Sequence, residues 1–249
     1  MNIDKDAFNE SFTLSDFPTW KCSTCNKGNL DYGNETVFET VESMKEREDY
    51  VDDWDETWIR KHFIGTLKCN NQKCREIYSF AGEIDHDVDH EEENGNEIIT
   101  VRYYPKYIFP IPYLFSIPEE APSEVIVSIE RAFKLYWVDN SACGNAIRTV
   151  VEVIMNDKNI RRTTTISGKR KKLSLHTRIE NFQNKYNEIG NILMAIKWIG
   201  NVASHDDELY KEELLDGFDF LKVAIDKLYA THEKDLEKRV SEINKRKKP

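Results

Sequence analysis

The sequence predicts an α+β protein in two parts, a small β domain followed by an all-α bundle of helices. Short runs rich in β-branched and aromatic side chains occur in the first hundred residues, where Gly, Asn and Asp clusters bound them. From residue 123 onward, apolar side chains recur at the three- and four-residue steps of helices. Charge divides the chain similarly, because residues 1–100 carry 24 acidic and 10 basic side chains, whereas residues 101–249 carry 21 acidic and 25 basic ones.

The composition limits the class of protein. A net charge of −10 argues against a protein that holds nucleic acid mainly by neutralising phosphates, although local basic patches stay open. No apolar run reaches the roughly 20 residues of a membrane span, and the first residues lack the layout of a signal peptide. We therefore expect a cytoplasmic protein that does not enter a membrane. Its five cysteines argue for metal binding or free thiols and against a disulfide framework.

The strand signals of the β domain lie at residues 58–68, 76–81 and 97–104. Residues 1–20 predict a loosely structured lead-in, and the acidic residues 83–93 predict a solvated loop. A sheet this small buries too little apolar surface to be stable alone. The domain therefore needs another source of stability.

Four of the five cysteines are paired by their spacing. Cys22 and Cys25 form a C-x2-C pair, and Cys69 and Cys74 form a C-x4-C pair. Two thiolate pairs on tight turns can close a tetrahedral site around Zn2+, because the short spacers let both sulfurs of a pair point into one ligand sphere. The sequence therefore predicts a structural zinc, contributing on the order of 10 kcal/mol, and a zinc-ribbon domain with acidic insertions at residues 1–102.

The spacing of these cysteines leaves two alternatives open. The second pair is two residues wider than the commonest form, and 43 residues separate the pairs. The four residues could be unrelated reduced cysteines. The other alternative is a redox or catalytic metal, for which no general base and no open coordination position is evident.

Residues 103–122 hold five of the seven prolines, interleaved with aromatic side chains. Each proline removes a backbone donor and disfavours helix at the residue before it. The segment is therefore predicted to be an extended connector that marks the domain boundary.

Residues 123–249 are predicted to form the helical bundle with a charged C-terminal extension. The predicted helices span residues 123 to about 138, 140 to at least 154, 174–185, 187–206 and 212–229. Ser123 can cap the first of them. Beyond Tyr229 the sequence is mostly charged, which indicates a solvated extension.

A strongly basic segment, residues 158–172, separates two of these helices. It contains seven cations and no acidic side chain. A loop that contacts RNA or phosphate would use six of them, Arg161, Arg162, Lys169, Arg170, Lys171 and Lys172. The alternative is a solvated loop without a ligand.

The predicted helix at 187–206 carries a polar stripe beside its apolar one. Lys197, Asn201 and His205 follow each other at intervals of four, so a cation, an amide and an imidazole are aligned near the end of the helix. Gly200 lies inside the same helix, where glycine costs roughly 1 kcal/mol relative to alanine. This glycine predicts the close approach of another backbone or a ligand.

Two motifs of the helical domain resemble a known family. Arg148 and Glu152 lie four apart on the second predicted helix, where they could form a local ion pair, and a GNxxxH motif ends at His205. Together with the paired cysteines and the proline-rich connector, these motifs make residues 20–230 resemble the bacterial domain of unknown function family 4145, which belongs to the HEPN superfamily. The resemblance implies an HEPN-like helical bundle.

The resemblance also implies a site. Many HEPN domains are metal-independent ribonucleases that use an Arg and a His from one helix, often across a homodimer interface. The corresponding candidates in this chain are His205, Asn201, Lys197, Arg148 and Glu152. His205 would act as the general base that takes the 2′-hydroxyl proton. Lys197 stands where these enzymes use Arg, and because a lysine is a point charge and not a planar fork, Arg148 could supply the guanidinium instead.

Two classes of function remain open from the sequence. The first is a non-catalytic binding or dimerisation module with structural zinc, in bacterial regulation or phage defence, which could bind RNA or a nucleotide and contact a protein through its acidic N-terminal domain. The second is an HEPN-type endoribonuclease, a toxin or defence effector. Lys197 and the acidic balance favour the first, whereas the alignment of Asn201 with His205 and the basic loop favour the second. Hydrogen bonding of Asn201 and His205 between helices, without any ligand, is the structural alternative.

Overall fold

The computed structural model describes residues 3–50, 55–90, 97–202, 209–230 and 240–246. The chain divides into two compact units, which we name the sheet unit, Asp4–Leu114, and the helical unit, Phe115–Pro249 together with Met1–Ile3. The predicted α+β class is confirmed, because an antiparallel sheet occupies the first unit and helices dominate the second.

The sheet unit is built on four antiparallel strands in the order β1-β2-β3-β4. The strands are β1 at Leu30–Glu39, β2 at Lys61–Cys69, β3 at Ile77–His90 and β4 at Glu97–Phe109, and the helix α1 at Val41–Asp49 follows β1. Each strand pairs with the next one in sequence, so the sheet contains no crossover. Alternation along β2 places Phe63, Leu67 and Cys69 on the buried face.

The N-terminal residues cover this buried face and are not the loosely structured lead-in that the sequence predicts. Phe12 and Tyr103 exchange two backbone hydrogen bonds, of 3.1 and 2.8 Å, and their rings stack with centroids 5.5 Å apart. Trp20 is 1% exposed and meets the rings of Phe12 and Phe17 edge-on. Isolated aromatic residues in a polar segment have no period, so the pattern of the sequence does not indicate this cover.

Three strands differ from their predicted extents. β1 has no counterpart among the predicted strands, and β3 continues to His90 through residues predicted to form an acidic loop. β4 extends to Phe109, seven residues past the predicted boundary at residue 102. Peptide groups make the ladder whatever the side chains are, and acidic side chains on a strand can stay in water. Pro105 is tolerated because β4 is an edge strand.

Within the described ranges, the helical unit contains five helices with an assigned first and last residue. They are α2 at Ser123–Tyr136, α3 at Asn140–Asp157, α4 at Leu175–Gln183, α5 at Asn187–Val202 and α6 at Lys211–Tyr229. α3 begins at Asn140, as the sequence predicts. α2 begins with Ser123 itself, which does not cap the helix as predicted, because Pro122 occupies the cap position and no side chain caps α2. The largest fully buried side chains of this unit are Ile129, Phe133, Tyr136, Ile147, Ile154, Phe182 and Phe218.

The basic segment forms a hairpin and not the predicted loop. β5 at Thr163–Ile166 pairs with β6 at Lys169–Lys172. The two connecting residues, Ser167 and Gly168, have positive φ values of 50° and 74°, as a tight two-residue hairpin turn requires.

Past α6, residues 240–246 are helical and exposed, within the segment predicted to be a charged solvated extension. Cys143 is buried in α3.

None of the helices in the described ranges combines the length and the apolar character that crossing a membrane requires.

Candidate functional site

Four cysteines come together in the sheet unit. Cys22 and Cys25 lie on the turn that precedes β1, Cys69 is the last residue of β2, and Cys74 lies on the turn that leads into β3. One ligand atom from each residue lies within 4.8 Å of the others. The predicted grouping of these cysteines is confirmed in space, and no disulfide joins them.

The distances between the sulfurs fit a shared metal ion. The Sγ atoms of Cys22 and Cys74 are 3.8 Å apart, and those of Cys25 and Cys69 are 3.7 Å apart. A disulfide needs about 2.05 Å. Four sulfurs placed tetrahedrally at about 2.3 Å from one ion are separated by about 3.8 Å. The cluster is therefore compatible with a four-coordinate metal site.

The two cysteine turns share one backbone geometry although their spacers differ. A residue in the left-handed region follows the second cysteine of each turn, Asn26 with φ 52° and Arg75 with φ 55°. The first cysteine of each turn donates its N–H to a carbonyl across the turn, in both cases at 2.9 Å. The longer second spacer is thus accommodated without changing how the turn presents its sulfurs.

Three donors point at the sulfur atoms. The hydroxyl of Tyr78 donates to Cys22 Sγ at 3.5 Å. The backbone N–H of Gly28 and the side-chain amide of Asn71 donate to Cys25 Sγ at 3.4 and 3.5 Å. Such donors orient ligands and stabilise negative sulfur, so the surroundings of the cluster are arranged for thiolates.

The thiols of the cluster differ in acidity. The backbone N–H groups of Gly28 and Lys27 lower the pKa of Cys25 to about 6. Burial raises the pKa of Cys69 to about 12. Four clustered thiols lose their protons together only when a cation balances the charge, which is the situation a bound metal creates.

Gly28 allows the two turns to pack closely. A Cβ atom on this residue would lie 2.5 Å from Cys69 Sγ and 2.8 Å from Asn71 Cβ. Because real contacts of a Cβ are never this short, only glycine fits here without moving the second turn away from the first.

A second group of polar residues lies between α3 and α5. A Cβ atom on Gly200 would lie 2.7 Å from Arg148 Cβ and 2.9 Å from the Gly144 carbonyl oxygen. The close approach predicted for this glycine is confirmed, and the neighbour is the backbone of α3. This approach brings the charge of Arg148 close enough to Lys197 to affect its pKa.

Lys197 is a buried cation, 7% exposed. Its Nζ lies 3.3 Å from the ring centroid of Trp198. With the amide of Asn201 oriented so that its oxygen accepts, that oxygen lies 3.3 Å from the same Nζ. Burial, and then the like charge of Arg148, lower the pKa of Lys197.

Arg148 is only partly exposed and poorly satisfied. Its Nε is buried and has no hydrogen-bond partner among the described residues. The local ion pair with Glu152 that the sequence predicts does not form. Burial and then the charge of Arg162 lower the pKa of Arg178 on α4, and the charge of Glu152 opposes this lowering. Within the described ranges, no carboxylate oxygen lies within 4 Å of a side-chain nitrogen of Arg148 or Lys197. Two neighbouring cations therefore lack an anionic partner in that part of the chain.

The candidate site predicted from the sequence is only partly described. Lys197 and Asn201 lie together on α5 with Arg148 beside them, whereas Glu152 does not join the group. His205 lies outside the described residues. Trp198 was not singled out by the sequence, although it is 54% exposed and its ring contacts Lys197. An exposed aromatic residue directly after a lysine is a signal that could have indicated it.

The six basic residues predicted to bind RNA all lie on the hairpin β5–β6 or on the residues that lead into it, and all are exposed.

Two hydrogen bonds anchor the base of the hairpin to one amide oxygen. Arg162 Nε and Arg178 Nη2 both donate to Asn156 Oδ1 at 2.7 Å. Arg178, 6% exposed, also donates to the Ile160 carbonyl at 3.1 Å, and its anchoring role had no counterpart in the pattern of the sequence.

Comparison with known proteins gives matches to two family models. No curated protein and no solved structure matches the chain. Residues 10–109 match a family described as a domain of unknown function (DUF8608), a range that contains all four clustered cysteines. Residues 130–246 match the domain of unknown function DUF4145, which supports the family resemblance drawn from the motifs of the helical domain.

Proposed function

We propose that this chain is an HEPN-like binding and dimerisation module, stabilised by a structural zinc ribbon, that holds a phosphate group of RNA or of a nucleotide between α3 and α5. The observation that carries the proposal is the buried Nε of Arg148, which has no hydrogen-bond partner among the described residues, beside the buried ammonium of Lys197. A regulatory or phage-defence system of bacteria is the proposed setting.

The energetics of this pair favour an anionic ligand. A buried cation without a partner is costly, and two like charges side by side raise that cost. A phosphate would offset both charges, because a guanidinium binds two of its oxygens in parallel and an ammonium adds a third contact. The short distance between α3 and α5 at Gly200 holds the two cations close together before the ligand arrives.

Zinc is the metal that the cysteine cluster favours. Zn2+ takes four thiolates in a tetrahedron at about 2.3 Å, which agrees with sulfur pairs 3.7 and 3.8 Å apart. Four protein ligands leave no position for a substrate, so the metal would support the fold and take no part in a reaction.

The proposed assembly is a homodimer through the helical unit. The acidic N-terminal region, with 24 acidic against 10 basic side chains in residues 1–100, is the proposed contact surface for a basic protein partner, since opposite charge speeds and orients association. Light scattering tests the first point, and a monomer at high concentration would contradict it.

Binding of labelled RNA and of a labelled nucleotide, followed by fluorescence anisotropy, tests the phosphate site. Arg148→Ala is expected to weaken binding at least about tenfold, because a charge-assisted hydrogen bond contributes about 1.5 to 3 kcal/mol. Arg131→Ala, which removes an exposed cation from α2, is the matched control and should bind like the wild type. Equal affinities of the Arg148→Ala and wild-type proteins would contradict the proposal.

A second candidate function is a metal-independent endoribonuclease. It is favoured by the contact of Lys197 with Asn201 at the end of α5 that leads toward His205. His205 would take the 2′-hydroxyl proton, while Lys197 and Arg148 would stabilise the charge that builds on the phosphate. Incubation of RNA without added metal tests this function. Fragments ending in a cyclic phosphate that disappear in His205→Ala would support it, and intact RNA in both samples would refute it.

A further inference from the structure

We propose that the hairpin β5–β6 and the adjoining face of α4 form a groove for single-stranded RNA, in which hairpin cations hold the phosphates and asparagine and threonine side chains contact the bases. The proposal rests on the RNA-binding function proposed above and adds to it a second contact surface and a class of RNA. The groove has a volume of about 560 Å³.

The lining of the groove consists of neutral polar side chains, one cation and the two apolar residues Ile160 and Leu173. Its polar members include Asn159, Arg161, Thr164, Thr177, Asn181 and Asn184. No lining residue carries a carboxylate. Amides and hydroxyls both donate and accept hydrogen bonds, so this surface suits a ligand rich in donors and acceptors whose charge lies elsewhere. A nucleobase attached to a phosphate backbone has this character.

Three of these side chains share one face of α4 and its C-terminal end. Thr177, Asn181 and Asn184 follow each other at steps of four and three residues, which places them along one stripe. The side chains of Asn181 and Asn184 are exposed, and their amides make no hydrogen bond within the part of the chain that the structure describes. They are therefore available to the edge of a base, which an asparagine amide can contact through a donor and an acceptor at once.

The hairpin carries cations on both of its faces. The register pairs Thr165 with Arg170 and Thr163 with Lys172, so these residues share one face, and Lys169 and Lys171 lie on the other. All four cations are exposed. None of them forms an ion pair with a carboxylate in the described ranges. Arg170 Nε donates to Thr163 Oγ1 at 3.0 Å, but a polyanion can be neutralised from either side of the hairpin without displacing a carboxylate of the described residues.

The hairpin is fixed at its base. Arg178 and Arg162 share the oxygen of Asn156, and the Leu173 N–H donates to the Arg162 carbonyl at 2.9 Å. At the other end, the two-residue turn fits the twist of the strands. A cationic element held in place loses little conformational freedom on binding.

The amides of the groove favour a single strand over a duplex. In an A-form duplex the sequence-bearing groove is too deep and narrow for side chains, and proteins contact mainly phosphates and 2′-hydroxyls. Sequence-specific contacts of side chains with base edges are made overwhelmingly to unpaired bases. A duplex would therefore bind through the hairpin cations alone and would not respond to changes at Asn181.

The test measures the anisotropy of short labelled single-stranded RNAs of differing base composition, and of a duplex, over a range of salt concentrations. Three double variants are compared: Lys169→Ala with Lys171→Ala, Asn181→Ala with Asn184→Ala, and the control Arg131→Ala with Lys134→Ala, whose cations are exposed on α2. Circular dichroism confirms that each variant is folded.

Each variant has its own expected result. The hairpin variant should lower the slope of log K against log salt by about 1.4, or roughly 0.7 for each phosphate that the protein no longer neutralises. The asparagine variant should keep the salt slope. Its preference among single strands of different base composition should fall at least about fivefold, which is the smallest effect expected when a bidentate hydrogen-bonded contact between a side chain and a base is lost. The control should keep both properties within about twofold.

Four outcomes would overturn the groove or the preference for unpaired bases. If wild-type protein binds RNA and both the hairpin and asparagine variants bind equally well, RNA does not use this surface, although the Arg148 site would stand. A duplex bound as tightly as single strands, with no effect of the asparagine variant, would overturn the preference for unpaired bases. If wild-type protein binds a nucleotide in an Arg148-dependent way but no RNA, the groove fails while the phosphate site survives. If the wild-type protein binds neither RNA nor a nucleotide, both the groove and the phosphate site are refuted.

Discussion

The sheet unit and the helical unit differ in where their stability is concentrated. In the sheet unit, four cysteines drawn from residues 22 to 74 meet within 4.8 Å, and several apolar side chains such as Ile64, Tyr107 and Phe109 stay exposed. Both units also bury large side chains fully, among them Phe63 and Phe80 in the sheet unit and Phe133 and Phe218 in the helical unit. With the proposed zinc bound, the sheet unit has an additional source of stability at one point, so the loss of one ligand should cost it more than the loss of one core side chain costs the helical unit.

Removal of the proposed zinc should give the largest effect. Cys69→Ser, or a strong chelator, is expected to unfold the sheet unit, because structural zinc in small domains contributes on the order of 10 kcal/mol. The signals of the helical unit in circular dichroism should persist. Cys143→Ala, which changes the one cysteine outside the cluster, is the control and should keep the full zinc content. A zinc content well below one per chain, measured by elemental analysis of the wild type, would contradict the difference between the units.

An intermediate effect is expected from the glycine between α3 and α5. Gly200→Ala should destabilise the helical unit by about 1 to 3 kcal/mol, since the added methyl group overlaps the backbone of α3. Gly217→Ala is the matched control on α6, where a Cβ would meet only side chains of Ile147 and Ile199 at 3.7 Å. It should stabilise by up to about 1 kcal/mol. Urea unfolding measures both, and equal effects of the two changes would show that close helix approach does not matter.

The smallest effect on stability is expected from Lys197→Met, together with a loss of phosphate binding. Burial and Arg148 lower the pKa of Lys197, so the folded state binds this proton more weakly than the unfolded chain does. Wild-type stability should therefore rise with pH between the lowered pKa and the ordinary lysine value, and the Met variant should lack this rise. At neutral pH the variant should be as stable as the wild type or more stable by up to about 1 kcal/mol. A large loss of stability would show that Lys197 supports the fold.

The parts of the fold that follow a local pattern of residues could be predicted from the sequence. The start of α3 at Asn140 agrees with the prediction, and α2 starts at Ser123, the residue predicted to be its cap. The spacing of the cysteine pairs predicted the cluster that they form. In each case a local rule, helical periodicity or ligand spacing, acts in the same direction as the final packing.

The parts that depend on distant partners could not be predicted. The acidic half of β3 has low strand propensity and becomes a strand because β4 pairs with it. The four-residue spacing of Arg148 and Glu152 permits an ion pair but stabilises it by only about 0.2 to 0.5 kcal/mol, too little to decide where the two side chains point. The sequence did not predict the hairpin β5–β6 either, because its exposed cations do not alternate with apolar residues as a strand pattern requires.

The pairing of Cys22 with Cys74 and of Cys25 with Cys69 across the cluster has a consequence for biosynthesis. On the ribosome, the first two thiols emerge 49 residues before Cys74 completes the set, a wait of roughly 2 to 10 seconds at ordinary rates of translation. During that interval the proposed metal site is incomplete and its first two thiols lack their partners, so oxidative stress should damage newly made copies more than finished ones.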